Sequence, residues 1–117
     1  NVREQEARTD SVLAYYRRLV HLRKADAYRE TFTYGIFEPA YQEMADVFAY
    51  YRVSGESGQR ILVAANFGTD AVSLPLAYPC RQVLLSNLRA ESAVETACEK
   101  ANALTLESCE VAVIELG

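Results

Sequence analysis

The sequence predicts a mainly β domain: an antiparallel Greek-key β-sandwich of about seven or eight strands, preceded by one N-terminal α-helix. Short segments rich in β-branched and aromatic residues recur at roughly 8–12-residue intervals, with turn residues between them. Residues 60–67 are almost entirely apolar, which is typical of a central strand buried on both faces. Helical periodicity dominates only the first third of the chain, which places the helix before the sheet.

The predicted N-terminal helix is apolar on two sides. One apolar stripe follows helical spacing and consists of Val12, Tyr15, Tyr16, Leu19 and Leu22. Leu13 and Val20 extend the apolar surface to a second side of the helix. A helix with two apolar sides requires burial on two sides. Asp10 is the predicted N-cap, because its carboxylate can accept from the free N–H groups of a first turn.

The remaining segments predict strands in order. Residues 31–36 alternate and predict a half-buried strand, with Gly35 as a bulge and Pro39 as its end. Residues 54–58 are turn-rich, so they predict a hairpin between strands at 47–53 and 60–67. Further predicted strands cover residues 71–74, 81–86, 104–106 and 111–116. Alanines and Val94 at helical spacing predict a short helix over residues 90–101.

Composition excludes several classes of function. The 117 residues carry a formal net charge of −4 and no basic stripe, so we do not expect nucleic-acid binding. No apolar run is long enough to cross a bilayer, so we do not expect a membrane span. Cys80, Cys98 and Cys109 lack metal-ligand spacing, so we expect no metal or cofactor. Three reduced, half-buried thiols fit a cytoplasmic, bacterial protein, and a Cys98–Cys109 bridge is the less favoured alternative. Because residue 1 is Asn rather than Met, we expect the chain to begin inside a longer protein.

No residue is predicted to be catalytic. His21 is the single histidine, and it lacks a suitably placed nucleophile. Glu38, Glu43 and Asp46 lie close together in the sequence, and glycoside hydrolysis requires a pair of carboxylates. They lie in a polar loop, however, where carboxylates are usually solvated, so we do not expect them to be catalytic. Aromatic rings of sugar-binding modules stack on sugars. Tyr50 and Tyr51 are weak candidates for this role. Because adjacent residues in a strand point to opposite faces, one of these two rings is expected to face outward.

The order of the segments resembles the C-terminal β-domain of glycoside hydrolase family 13. Residues 10–24 look like the last helix of its catalytic barrel. Later blocks follow the family's order: Gly35-Ile36-Phe37, Val47-Phe48-Ala49-Tyr50, Leu62-Val63-Ala64-Ala65-Asn66-Phe67, Leu84-Leu85-Ser86-Asn87, and Leu104-Thr105-Leu106 with Glu110 and Val113. The resemblance is to the oligo-1,6-glucosidase, α-glucosidase and sucrose isomerase-like branch. The chain departs from that pattern at Ser108-Cys109-Glu110 and over residues 90–101.

This resemblance implies a non-catalytic accessory domain. Residues 1–27 would be the last helix of a catalytic barrel that is absent here, and residues 28–117 the β-sandwich. The nucleophile and acid of a retaining α-glucosidase, glucosyltransferase or isomerase would lie on barrel strands before Asn1. The expected interface with the barrel is Val12, Leu13, Tyr16, Leu19 and Val20. Without the barrel, we expect the chain to self-associate through this helix or to fold it back onto its own sheet.

Two other functions are compatible with the sequence. A stand-alone carbohydrate-binding module would present an exposed aromatic platform and bind oligosaccharides saturably. A small interaction domain unrelated to sugars would be encoded by a reading frame that starts close to Asn1.

Overall fold

Two antiparallel sheets and three helices form the fold. A computed structural model describes the backbone of residues 2–117 and the side chains of residues 2–3 and 13–117. The helices are α1 (Val2–Lys24), α2 (Arg29–Tyr34) and α3 (Glu91–Ala101). The strands are β1 (Ile36–Ala40), β2 (Val47–Val53), β3 (Arg60–Asn66), β4 (Val72–Pro75), β5 (Cys80–Ser86), β6 (Ala103–Leu106) and β7 (Val111–Leu116). The predicted antiparallel β-sandwich is confirmed, and the helix predicted over residues 90–101 is α3.

The larger sheet has the strand order β1-β2-β3-β7-β5. β2 and β3 form the predicted hairpin, with Val53 opposite Arg60 and Val47 opposite Asn66. β3 lies between β2 and β7, and the side chains of Ile61 and Leu62 are fully buried. The apolar run at residues 60–67 therefore marks a central strand, as predicted.

The main core lies between the two sheets. β4 and β6 pair as a two-stranded sheet, and Leu74, Leu104 and Leu106 point from it toward the larger sheet. Because two strands cannot cover five, α3 adds the buried side chains of Val94 and Cys98 to the same core. The amphipathic spacing of α3 thus supplies apolar area to this layer.

A second core lies on the opposite face of the larger sheet, beneath α1. Phe32, Ile61, Leu85 and Val113 are its buried members. Tyr15, Leu19 and Leu22 of α1 pack against them. One of the two apolar sides of α1 is therefore buried on the sheet of its own domain.

Three local predictions around the first strand were wrong. Residues 29–34 are helical, because Phe32 enters the second core while Tyr34 stays 80% exposed, which an alternating strand could not achieve. Gly35 is not a bulge but the residue after α2, where its N–H donates to the Thr31 carbonyl. Pro39 lies inside β1, which tolerates it because β1 is an edge strand. α1 also extends through Asp10 to Val2, so Asp10 is not an N-cap.

A buried polar network joins the loops at one end of the sandwich. Glu110 is fully buried, and both its carboxylate oxygens accept from the Arg89 guanidinium at 2.8 Å. The same carboxylate accepts from the Ser86 hydroxyl at 3.1 Å and from the Glu107 N–H at 2.9 Å. Nearby, the buried Asn66 amide donates to the Leu106 and Glu107 carbonyls. The network satisfies every buried charge that it contains, which is the condition for a stable ionic core.

Substituting Gly35 should destabilise the fold through a steric contact. A Cβ at Gly35 would lie 2.2 Å from the Thr31 carbonyl oxygen, whereas a Cβ at Gly55 meets nothing within 4 Å. We expect Gly35→Ala to lower the free energy of unfolding by about 1–3 kcal/mol, whereas Gly55→Ala should be neutral or stabilise by up to about 1 kcal/mol. Urea unfolding of both variants measures the difference, and equal stabilities would contradict the close approach at Gly35.

Breaking the Arg89–Glu110 pair should cost more. Glu110→Ala leaves a guanidinium without its carboxylate in a site that is mostly buried, so we expect a loss of about 3–5 kcal/mol in the free energy of unfolding. Glu107→Ala is the matched control, since that side chain is exposed and only backbone groups of Glu107 join the network. Thermal and urea unfolding measure both variants. A loss below about 1 kcal/mol for Glu110→Ala would show that the pair does not hold these loops.

Candidate docking surface

An exposed apolar surface covers the side of α1 that faces away from the sheet. Leu13, Tyr16 and Val20 are 45%, 59% and 48% exposed. They line a shallow groove of about 430 Å³ together with Arg17, His21 and Lys24. We call Leu13, Tyr16 and Val20 the outer helix face. Apolar side chains clustered in this way on a surface are typical of a docking site.

The structure divides the residues that the sequence assigned to an interface. Leu13, Tyr16 and Val20 lie together on the outer helix face. Leu19 points the other way and packs against the second core. The side chain of Val12 lies outside the described residues. Helical geometry explains this division, since Leu19 is roughly 100° around the helix from Val20.

A second exposed apolar patch lies on the helix-covered side of the sheet, on β1 and β2. Phe37 and Phe48 are 50% and 57% exposed, and both contact the ring of Tyr50. The Phe37 and Tyr50 rings stack with centroids 4.8 Å apart, and Phe48 approaches Tyr50 edge-on at 5.8 Å. We call these three residues the aromatic strip. Sequence reasoning missed its two phenylalanines, although the alternation of Phe48 and Tyr50 with the core-facing Ala49 and Tyr51 in β2 could have indicated it.

The two candidate sugar-stacking tyrosines lie on opposite faces of the sheet, and both are half-buried. Tyr50 belongs to the aromatic strip, so Phe37 covers part of its ring. Tyr51 packs against the main core, with the Tyr78 ring 6.0 Å away and the Arg60 guanidinium 5.1 Å from its centroid. Neither ring is a free platform as the domain stands, and a sugar-stacking role for either stays a prediction.

A separate cleft of about 620 Å³ is lined by the charged side chains of Arg60, Arg81 and Glu115, together with Tyr78. The Arg60 guanidinium lies 4.1 Å from the centroid of the Tyr78 ring and pairs with Glu38 at 3.0 Å. Glu38 is thus engaged in an ion pair, while Glu43 and Asp46 are exposed in the loop before β2. Among the described residues, no three His, Cys, Asp or Glu side chains are grouped closely enough to hold a metal ion. His21 is exposed on α1.

The three cysteines differ in burial and are unpaired in the structure. Cys98 is buried in the main core beside Cys80, and burial raises the pKa of the Cys98 thiol to about 12. Burial also raises the pKa of Cys80. Cys109 is exposed, at the tip of the loop before β7. Free thiols at all three positions agree with the sequence prediction, whereas half-burial holds only for Cys80.

The contact between α1 and the sheet should weaken at alkaline pH. The pKa of Tyr15 is raised from 10.0 to about 12, mainly by burial and to a smaller extent by the nearby Tyr50. Since the unfolded chain releases this proton more readily, the contribution of Tyr15 to stability is complete below pH 10 and lost as pH rises toward 12. Tyr15→Phe should therefore lose less stability than the wild type between pH 10 and 12. Chemical unfolding across this range measures the effect, with Tyr16→Phe as the exposed control; identical pH profiles for all three proteins would contradict it.

No helix among the described residues is both long enough and apolar enough to span a bilayer. No protein-family model matches the chain.

Comparison with known proteins identifies a relative by sequence and solved structures that share the fold. A glucan 1,6-α-glucosidase of Streptococcus pneumoniae is 30% identical over 95 residues, covering 81% of this chain and 17% of that protein. The solved isomaltulose synthase of Klebsiella sp. LX3 matches all of this chain and 20% of its own, with 25% identity and a TM-score of 0.71. The trehalulose synthase of Pseudomonas mesoacidophila MX-45 shares the fold over 89% of this chain, at 19% identity and a TM-score of 0.67.

This chain spans only 17–20% of the length of these proteins. It therefore corresponds to one part of each enzyme. These comparisons confirm the resemblance predicted from the sequence: over most of its length, the chain is similar to a domain of the glycoside hydrolase family 13 enzymes, in their α-glucosidase and sucrose isomerase-like branch.

Proposed function

We propose that this chain is a non-catalytic accessory domain of an α-glucosidase-family glycoside hydrolase. In this proposal the parent enzyme acts on α-glucosidic oligosaccharides, and the domain packs against its catalytic barrel and stabilises it. The observation that carries the proposal is the two-sided helix α1. One side packs on the sheet through Tyr15, Leu19 and Leu22, while the outer helix face is apolar and exposed.

A barrel helix fits this pattern. In a (β/α)₈ barrel each helix packs on a strand and on neighbouring helices, so its side chains are apolar over a wide arc. The outer helix face would then be buried against the barrel. The share of the relatives' length that the chain covers supports the same interpretation, because it leaves room for a catalytic domain elsewhere in the protein.

The aromatic strip extends the proposed contact. Phe37 and Phe48 lie on the face of the sheet that also carries α1, and both are half-exposed. Burying an aromatic ring removes a large apolar area from water and stabilises an interface by a few kcal/mol. We therefore include the strip in the surface that a larger neighbour would cover. Without that neighbour, the same surfaces would lead copies of the chain to associate.

A cytoplasmic location for the parent and a role in carbohydrate metabolism complete the proposal. Free cysteines support the location, because reducing compartments keep thiols unpaired.

The reading frame on the N-terminal side of this chain provides the first test. We expect several hundred codons that encode alternating strands and helices, with Asp and Glu at strand ends. The second test places Val20→Asp in the whole enzyme and in the 117-residue chain. A carboxylate at a covered apolar contact should cost the whole enzyme about 2 kcal/mol or more, whereas the separate chain should change by less than about 0.5 kcal/mol because Val20 is exposed there.

Ala14→Asp is the matched control, since residue 14 is an exposed position on the same helix. It should affect the whole enzyme and the separate chain equally. A frame without a barrel, or equal effects of Val20→Asp in both proteins, would overturn the proposal. Saturable binding of maltose or isomaltose to the separate chain would instead favour a carbohydrate-binding module.

A further inference from the structure

The outer helix face carries positive charge beside its apolar side chains. Three basic residues, Arg17, His21 and Lys24, complete the groove on this face. No carboxylate belongs to the described side chains that line the groove. Among the described residues, moreover, no ion pair engages Arg17 or Lys24. The groove is therefore locally positive, although the whole chain carries a formal net charge of −4.

The helix macrodipole explains only part of this charge. Cations in the last turn of a helix interact favourably with its C-terminal carbonyls, and the effect falls off within that turn. Lys24 is the last residue of α1 and has this explanation, whereas Arg17 lies about two turns earlier. Arg17 also differs from its neighbour Arg18, which pairs with Glu91 of α3 and donates to the Ser86 carbonyl at 3.4 Å. The domain itself thus gives a role to Arg18 but none to Arg17.

The spacing of the exposed side chains fits a second helix as the partner. Leu13 and Val20 are about two turns apart on the outer helix face, and Tyr16 lies between them. The side chains of a second helix fill an apolar seam of this kind when the two helices pack side by side. Arg17 and Lys24 flank the seam and lie roughly 10 Å apart along the helix axis. In paired helices, charged residues that flank the seam form ion pairs across it and select the partner.

The charge of the groove restricts the chemistry of that partner. A neighbour with lysine or arginine opposite Arg17 and Lys24 would be repelled. An entirely apolar neighbour would cover the Arg17 guanidinium without offering it an acceptor, which is unfavourable. Carboxylates at the margin of an apolar contact avoid both penalties.

We propose that a helix of the catalytic barrel covers the outer helix face, with an apolar seam and with Asp or Glu side chains opposite Arg17 and Lys24. This inference rests on the proposed accessory function and adds the chemistry of the surface that the barrel presents. The helices of a (β/α)₈ barrel form a ring around its strands, so a barrel helix such as the one proposed for α1 has helical neighbours.

Charge reversal at Lys24 in the whole enzyme tests the inference. Lys24→Glu places a carboxylate against the carboxylates of the neighbouring helix, so amide hydrogen exchange over residues 13–24 should become about tenfold faster or more. In the 117-residue chain, where Lys24 is exposed, the same substitution should change this exchange by less than about threefold.

Lys100→Glu is the matched control, since Lys100 is also an exposed lysine in the last turn of a helix, α3. Both substitutions place an anion beside C-terminal carbonyls, so the macrodipole affects them alike. Exchange over residues 91–101 in Lys100→Glu should therefore change equally in the whole enzyme and in the separate chain.

Arg17 provides a second test that does not involve the macrodipole. Arg17→Gln removes the charge, whereas Arg17→Glu reverses it. We expect exchange over residues 13–24 of the whole enzyme to be faster in Arg17→Glu than in Arg17→Gln. Sodium chloride should reduce the difference between the two variants, because salt screens charges at the margin of a contact.

The outcomes separate this inference from the proposed function. If Val20→Asp affects only the whole enzyme but Lys24→Glu affects both proteins equally, the acidic margin is wrong and the accessory function stands. If both substitutions act equally in the two proteins, both proposals are wrong. Protection of residues 13–24 that rises with protein concentration would show that a second copy, and not the barrel, covers the face. If Lys24→Glu does not fold, the two Arg17 variants at low and high salt decide the question, and equal exchange in them would overturn the inference.

Discussion

The ion pair between Arg89 and Glu110 is the interaction on which the arrangement of the strands depends. Glu110 immediately precedes β7, and β7, the last strand in the chain, lies between β3 and β5. The Glu110 backbone carbonyl accepts from the Asn66 N–H at the end of β3, and its carboxylate holds Arg89 and Ser86 at the end of β5. One residue thus ties together the ends of three strands that are distant in sequence. Because a carboxylate is buried there, any arrangement that removes Arg89 leaves a charge without a partner, which disfavours alternative pairings of β7.

This constraint also explains how a sandwich with so small a second sheet remains ordered. β4 and β6 offer only a few apolar side chains, and α3 must pack beside them to complete the main core. The Arg89 guanidinium also donates to the Thr105 carbonyl in β6, so the network reaches the second sheet as well. The loop that leads into α3 is therefore attached to both sheets immediately before the helix begins. The position of α3 follows from this attachment together with the burial of Val94 and Cys98.

Much of this fold could be predicted from the sequence because its signals are local. The hairpin of β2 and β3, the central position of β3 and the helix α3 each follow from periodicity or turn residues within one short segment. The errors arose where a tertiary contact decided the outcome. Phe32 enters the second core from a helical turn, although its alternation with Tyr34 and Ile36 is typical of a strand. The polar network could not be predicted, since Asn66, Arg89 and Glu110 meet only after three distant loops come together. The aromatic strip was missed because exposure of Phe37 depends on β1 being an edge strand, which no single segment encodes.

The helix α1 links the fold to the proposed function. A helix that served only its own sheet would need a single apolar side, and polar residues would cover the other. α1 instead carries Leu13, Tyr16 and Val20 opposite the side that packs on the second core. Exposure of these side chains to water is unfavourable, so their presence is best explained by a neighbour that covers them. The relatives are enzymes five to six times longer than the part that this chain matches, which agrees with our proposal that the neighbour belongs to the same polypeptide. The interface predicted from the sequence pattern and the outer helix face of the structure share Leu13, Tyr16 and Val20, and contact of this surface with a barrel stays our proposal.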